Sequence, residues 1–337
     1  MPETDWARAR LHVVTGKGGT GKTTVAAALA LALAADGGRV LLVEVEGRQG
    51  ISQTFDVAPL AASEVRIAHL PGGGEVFGLS VDAKAALMEY LQLFYKLGRA
   101  GGVLERFGAV DFATTIAPGL RDVLLTGKVY EAVRRRSDRK GKDSRGSKAP
   151  FRYDAVVLDA PPTGRVLRFL NVNVEVAGLA KVGPIKGQSD SITRMFKSST
   201  TAIHVVTLLE EMPVQESLDA IADLRAAGLP VGAIVVNQVR EPILSAASLR
   251  SAAGERLDRD EISADLTSAG IRVTAPMLTG LLQEAYEHAH RLALEAAETV
   301  AVRAAGRPTY SLPALGEEID SGEVRELAQL LRDQGMV

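Results

Sequence analysis

The chain has 337 residues, a formal charge of -2 and no cysteine. The near-neutral balance gives no overall basic field to draw it to nucleic acid. The missing thiols exclude disulfides, cysteine-ligated zinc, iron–sulfur clusters and a thiolate site for arsenite or antimonite. Hydrophobic residues make up 46%, enough to fill the core of one large α/β unit, whereas no charge-free apolar run reaches the roughly 18 residues of a membrane span and the polar start 1–6 lacks a signal core, so a cytosolic protein is expected.

The first element, 11–15, reads Leu-His-Val-Val-Thr, a short buried strand. It runs into Gly16-Lys17-Gly18-Gly19-Thr20-Gly21-Lys22-Thr23-Thr24, which fits the phosphate-binding pattern of two spaced glycines followed by Lys and Thr. Glycines let the backbone turn sharply and bring its N–H groups to phosphate oxygens. The alanine- and leucine-rich run 23–35 reads as a helix whose N-terminus adds its dipole. ATP and Mg²⁺ are the expected cofactors. Lys22 should reach the β- and γ-phosphates, Thr23 should bind the metal, and Gly18, Gly19, Thr20, Gly21 and Thr24 should complete the cradle.

Further strands are expected at 40–45, 76–81, 155–158, 203–208 and 231–236, with a shorter one at 271–274. Most are continuous apolar runs, as in strands covered on both faces, and they alternate with helical patterns. The expected fold is a doubly wound, mostly parallel α/β sheet in a single domain spanning 1–337. Two helical stretches, about 82–130 and 171–202, should form a subdomain inserted in it. Ala83, Ala86, Leu87, Tyr90, Leu91 and Phe94 share one helical stripe in the first, with Met88 and Tyr95 off it. Between them, 134–148 holds eight basic and two acidic residues, a local +6 with no apolar anchor, and is expected to be a mobile loop. A long helical block is expected over 281–305, covering the sheet. The second strand leads to Glu46, where nucleotide-switch proteins carry a carboxylate that orients the attacking water. Asp159, at the end of the 155–158 strand, stands where a carboxylate holds Mg²⁺ through water.

Several segments together resemble the arsenite-pump and tail-anchored-protein targeting ATPase family over about residues 10–305. Lys17 at the second loop position is similar to the deviant phosphate loop of the wider class that also holds MinD, ParA and nitrogenase iron protein. The run from Glu44 to Phe55 resembles the family's Asp-Pro-Ala-His-Ser-Leu-Ser-Asp-Ala-Phe, with Glu46 on the catalytic Asp, Gly47 on Pro and Gln49 on His. The longer side chain of Glu46 predicts slow hydrolysis. The run from Asp159 to Arg168 resembles Asp-Thr-Ala-Pro-Thr-Gly-His-Thr-Leu-Arg, with Arg165 on the His. Stretches at 79–87, 117–122 and 235–238 agree as well.

What the resemblance implies is a dimeric, Mg²⁺-dependent ATPase whose nucleotide state governs a hydrophobic client or a membrane partner. Lys17 would cross to the phosphates of the other subunit, which is either an identical chain or a related ATPase. Asn237 would meet the adenine, and Pro276 and Met277 would lie in a loop covering it. With one methionine, Met195, the stretch 171–201 is short beside the family's Met-rich client-binding insert. No nucleic acid partner and no arsenite or zinc site are expected. Two alternatives remain: a weakly hydrolysing structural subunit beside a related ATPase, and a MinD- or ParA-like surface organiser. The mixed charges of the amphipathic tail 322–337 count against the second.

Overall fold

A computed structural model describes residues 5–45, 47, 49–83, 85–86, 118–137, 149–171, 184–316 and 320–337. Glu46, the core of the 82–130 stretch with Leu87, Met88, Tyr90, Leu91, Phe94 and Tyr95, and most of the basic run lie outside them.

Eight strands form one sheet: β1 (Leu11–Gly16), β2 (Arg39–Val45), β3 (Val65–His69), β4 (Glu75–Val81), β5 (Ala155–Asp159), β6 (Thr201–Thr207), β7 (Val231–Val239) and β8 (Thr309–Pro313). Their order is β3-β4-β2-β5-β1-β6-β7-β8, parallel throughout except for β3 against β4. The central strands are buried along almost their whole length, so alternate residues serve two cores. In β1, Leu11 and Val13 join one apolar cluster and Val14 joins the other.

One face carries α1 (Lys22–Ala34), α2 (Gly50–Thr54) and, packed on α1, α10 (Ser321–Asp333). Helix α1 is apolar all round after its first turn, and that is why it can be enclosed between sheet and α10. The other face carries α3 (Pro118–Arg134), α4 (Thr163–Leu170), α5 (Pro184–Phe196) and α6 (Glu211–Ala226). The described parts of the two helical stretches therefore share the sheet's own core: Val123, Leu125 and Val129 of α3 meet Ile192, Met195 and Phe196 of α5 there. Met195 is buried in that cluster, not displayed for a client.

Three expectations are corrected. Residues 271–274 form no strand; they are an extended linker from α8 (Arg259–Ser268) into α9 (Ala275–Ala304), and Ile271 is exposed. The place beside β7 is taken by β8, so a short run facing solvent has no ladder to join. Helix α9 begins earlier than 281 and lies mainly on α6 and α7 (Ala246–Ala253) instead of covering the sheet; Leu281, Leu294 and Val300 face outward. The basic run does not start as a free loop either. Arg134 closes α3, and Arg136 pairs with Phe151 across an antiparallel bridge. The guanidinium groups of Arg10 and Arg136 both stack on that Phe151 ring, which holds the described start of the run in place.

Candidate nucleotide site

Because β1, β5 and β2 are parallel neighbours, their carboxyl ends deliver Gly16, Asp159 and Glu44 to one edge of the sheet. In open α/β sheets that edge is where ligands bind. The glycine loop leaves β1 there and returns as α1. Gly19 and Gly21 have positive φ, 87° and 80°, which side-chain-bearing residues seldom adopt. At Gly21 a Cβ would also stand 2.2 Å from the Asn237 side-chain nitrogen. By contrast, a Cβ at Gly18 or Gly19 would meet nothing within 4 Å, so the loop faces open space. Helix α1 has Gly21 as its N-cap and no side-chain cap, which leaves its first N–H groups directed at that space.

Lys22 is buried, and its ammonium donates to the Lys17 carbonyl at 3.0 Å, bridging the loop's mouth. Thr20 donates its hydroxyl to the same carbonyl at 2.9 Å. Across the loop, the Thr23 hydroxyl donates to Asp159 Oδ2 at 2.6 Å, so the two residues read separately as magnesium ligands are in contact. Their donors are hard oxygens only, the set that magnesium takes, and the site fits it. Thr15 ties the end of β1 to the Pro161 carbonyl at 2.7 Å, holding the segment after Asp159 close to the loop. The buried Thr163 hydroxyl in that segment has no hydrogen-bond partner among the described residues. An orphaned buried hydroxyl is costly, and a bound ligand or water would relieve it.

Asn237, near the carboxyl end of β7, lies against the loop, its amide nitrogen donating to the Thr20 carbonyl at 3.0 Å. Pro276 and Met277 are not in a loop. They occupy the exposed first turn of α9, capped by the Thr274 hydroxyl, where proline's missing N–H costs nothing. Thr24 lies in the first turn of α1, while Glu46 lies outside the described residues.

Three contacts were not legible from the motifs. Lys17 makes an ion pair with Glu216 of α6, at 2.9 Å, within its own chain. Arg165 of α4 lies 3.6 Å from the buried Asp122 of α3. Gln49, with a left-handed φ of 58°, is stitched by its side chain to both backbone groups of Leu60, at 2.8 and 3.1 Å. The one signal available for the buried Glu44 was a lone charge inside the otherwise apolar run 40–45.

A glycine loop, a lysine and a hydroxyl–carboxylate pair at the carboxyl edge of a parallel sheet define a P-loop nucleotide-binding protein of the α/β class. The Anion-transporting ATPase family model matches residues 9–200, and the chain belongs to that family. It is 49% identical to ATPase BagA of Mycobacterium tuberculosis over 97% of this chain and 94% of that one. It is 26% identical to the arsenical pump-driving ATPase of Escherichia coli, covering 67% of this chain and 38% of that one. With ATPase GET3 of Lachancea thermotolerans the identity is 24%, over 67% of this chain and 71% of the yeast protein.

Proposed function

We propose that the chain is a Mg²⁺-dependent ATPase working as a cytosolic dimer, whose nucleotide state controls binding of a client or membrane partner. The observation that carries this is the 2.6 Å contact of Thr23 with Asp159 beside an open glycine loop. When bound, Mg²⁺ would neutralise charge on the β- and γ-phosphates. The chain's own groups divide the remaining work. The N–H groups of the loop and of the start of α1 bind the phosphates, and Lys22 adds a fixed positive charge among them. Thr23 and Asp159 hold the metal. Glu46 orients the attacking water. Lys17 reaches the phosphates of the second subunit, leaving Glu216 to do so. Pro161 to Arg165 relay the state of the site outward, since Arg165 contacts Asp122 on the helix that follows the 82–117 stretch.

The arrangement of Gln49 favours no loss of the switch segment: its side chain is used for holding Leu60, so its departure from the family's His does not leave the segment unsupported. The test is ATP turnover by the purified chain with and without Mg²⁺, beside Glu46→Gln. Wild type should hydrolyse ATP only with the metal. Glu46→Gln should keep ATP affinity within about threefold and lose turnover by about 10²-fold, as removal of a positioned base does. Equal turnover in the two proteins would remove Glu46 from the reaction. Absence of turnover with tight ATP binding in wild type would favour the structural-subunit alternative.

A further inference from the structure

We propose that Glu44 is a positioning residue that clamps the segment carrying Glu46 against the magnesium end of the site; the proposal rests on the ATPase reading above. Glu44 is the penultimate residue of β2, with 1% of its surface exposed. In the parallel ladder it is the direct neighbour of Asp159, so the two carboxylates stand side by side on one face. They take different partners. Asp159 accepts from the Thr23 hydroxyl. Among the described residues, Glu44 accepts from two backbone groups: Oε1 from the Gln49 N–H and Oε2 from the Ile51 N–H, the latter at 3.1 Å.

Those two amides flank the start of α2, whose N-cap Gln49 makes no side-chain cap. First-turn amides have no acceptor inside their helix, so Glu44 caps α2 from the preceding strand. Between the two amides sits Gly50, where a Cβ would come 3.1 Å from Thr23 Cγ2. The backbone thus rests on the same threonine that meets Asp159. Val45 is therefore held as the last residue of β2 and Gln49 by Glu44, and Glu46 falls between these two in the sequence. A carboxylate suits the task because it offers two acceptors and no donor. An amide in its place would turn an NH₂ group toward one of the two N–H groups.

Loss of the clamp should disturb where Glu46 holds the water, not how the loop holds ATP, since among the described residues no phosphate-cradle group bonds to Glu44. The experiment compares wild type with Glu44→Gln by amide exchange and steady-state kinetics. In wild type the Gln49 and Ile51 amides should be protected. In Glu44→Gln they should exchange at least about tenfold faster, kcat should fall about 10- to 100-fold, and KM for ATP should stay within about twofold. Unchanged exchange at both amides, or a KM that rises in step with the fall in kcat, would overturn the proposal. If wild type shows no turnover, the ATPase reading fails by itself, while exchange at these amides still decides whether the clamp exists. If Glu44→Gln does not fold, wild-type exchange decides: α2 supplies no other acceptor for these amides, so unprotected amides would refute the clamp.

Discussion

Thr23 gives one hydroxyl to Asp159, and if that pair holds Mg²⁺ as proposed, the hydroxyl cannot be replaced by a methyl group without loss. Thr23→Ala should bind ATP with little or no gain from Mg²⁺, whereas Thr23→Ser should restore that gain. Lys22→Ala removes a buried charge from the loop and should weaken ATP binding by about 10- to 100-fold with or without the metal, as charge-assisted hydrogen bonds contribute about 1.5–3 kcal/mol. Titration with a fluorescent ATP analogue at zero and millimolar Mg²⁺ separates the two effects. Equal metal dependence in Thr23→Ala and wild type would contradict the magnesium assignment. These residues were legible because their chemistry lies in one contiguous stretch of chain, plus one acid at the end of an apolar strand. Glu216 and Asp122 were not, because only the folded sheet brings them to Lys17 and Arg165 from distant positions. Glu44 was hidden differently: a strand pattern says that a side chain is enclosed but not which backbone groups await it.

Strands flanked by helices on both faces announce themselves as apolar runs, and β1, β2, β4, β5, β6 and β7 all follow that signature. The two edge strands do not. In β3 only Ile67 is buried, and β8 alternates Tyr310 and Leu312 inward with Ser311 outward. Half-covered edges carry too few apolar residues to stand out from loop sequence. Within the centre of the sheet, His12 and His204 break the apolar pattern and pair with one another. Their rings stack, with His12 Nδ1 and His204 Nε2 3.1 Å apart. The Ala233 N–H donates to His204 Nδ1, so the His204 proton lies on Nε2 and points at His12. Both rings are neutral. Burial lowers His12 to about 4, with a smaller opposing pull from the Ala9 backbone, and burial then the neighbouring His12 push His204 well below its ordinary value. A folded pKa below the unfolded one gives stability that is complete above about pH 6.5 and is lost as pH falls through the folded value. For His12 alone the loss is on the order of 3 kcal/mol between pH 6.5 and 4. Urea unfolding across that range should show this fall in wild type and a shallower one in His12→Gln. A flat profile in wild type would mean that the pair is not buried as neutral imidazoles.

At the scale of the whole molecule, the question is whether the phosphate loop is complete in one chain. Lys22, Thr23 and Asp159 are assembled within it, but Lys17 is turned to Glu216, on the side of α6, and does not contribute its charge to the cradle. Under the dimer reading Lys17 must exchange Glu216 for phosphates of the second subunit. The energies permit that. Both side chains of the ion pair are partly open to solvent, 29% and 39%, and pairs of that kind contribute at most about 1 kcal/mol. A lysine meeting a polyphosphate in an interface closed to water gains more, because the charge there is multiple and screening is weaker. Glu216 can therefore tune assembly without preventing it. Lys17→Ala should bind Mg-ATP within about threefold of wild type yet fail to dimerise with a slowly hydrolysed ATP analogue, and its turnover should fall with assembly. Glu216→Gln should dimerise with the same analogue at a concentration lower by no more than about 30-fold, the factor that two such pairs, one from each subunit, at about 1 kcal/mol each allow. Sedimentation velocity with and without nucleotide measures both. Nucleotide-dependent dimers of Lys17→Ala would show that this lysine does not cross the interface. A change of about 100-fold in Glu216→Gln would show that the ion pair is no ordinary surface contact. If both variants behave as stated, a residue turned aside in the single chain is the one that makes the active site depend on a second.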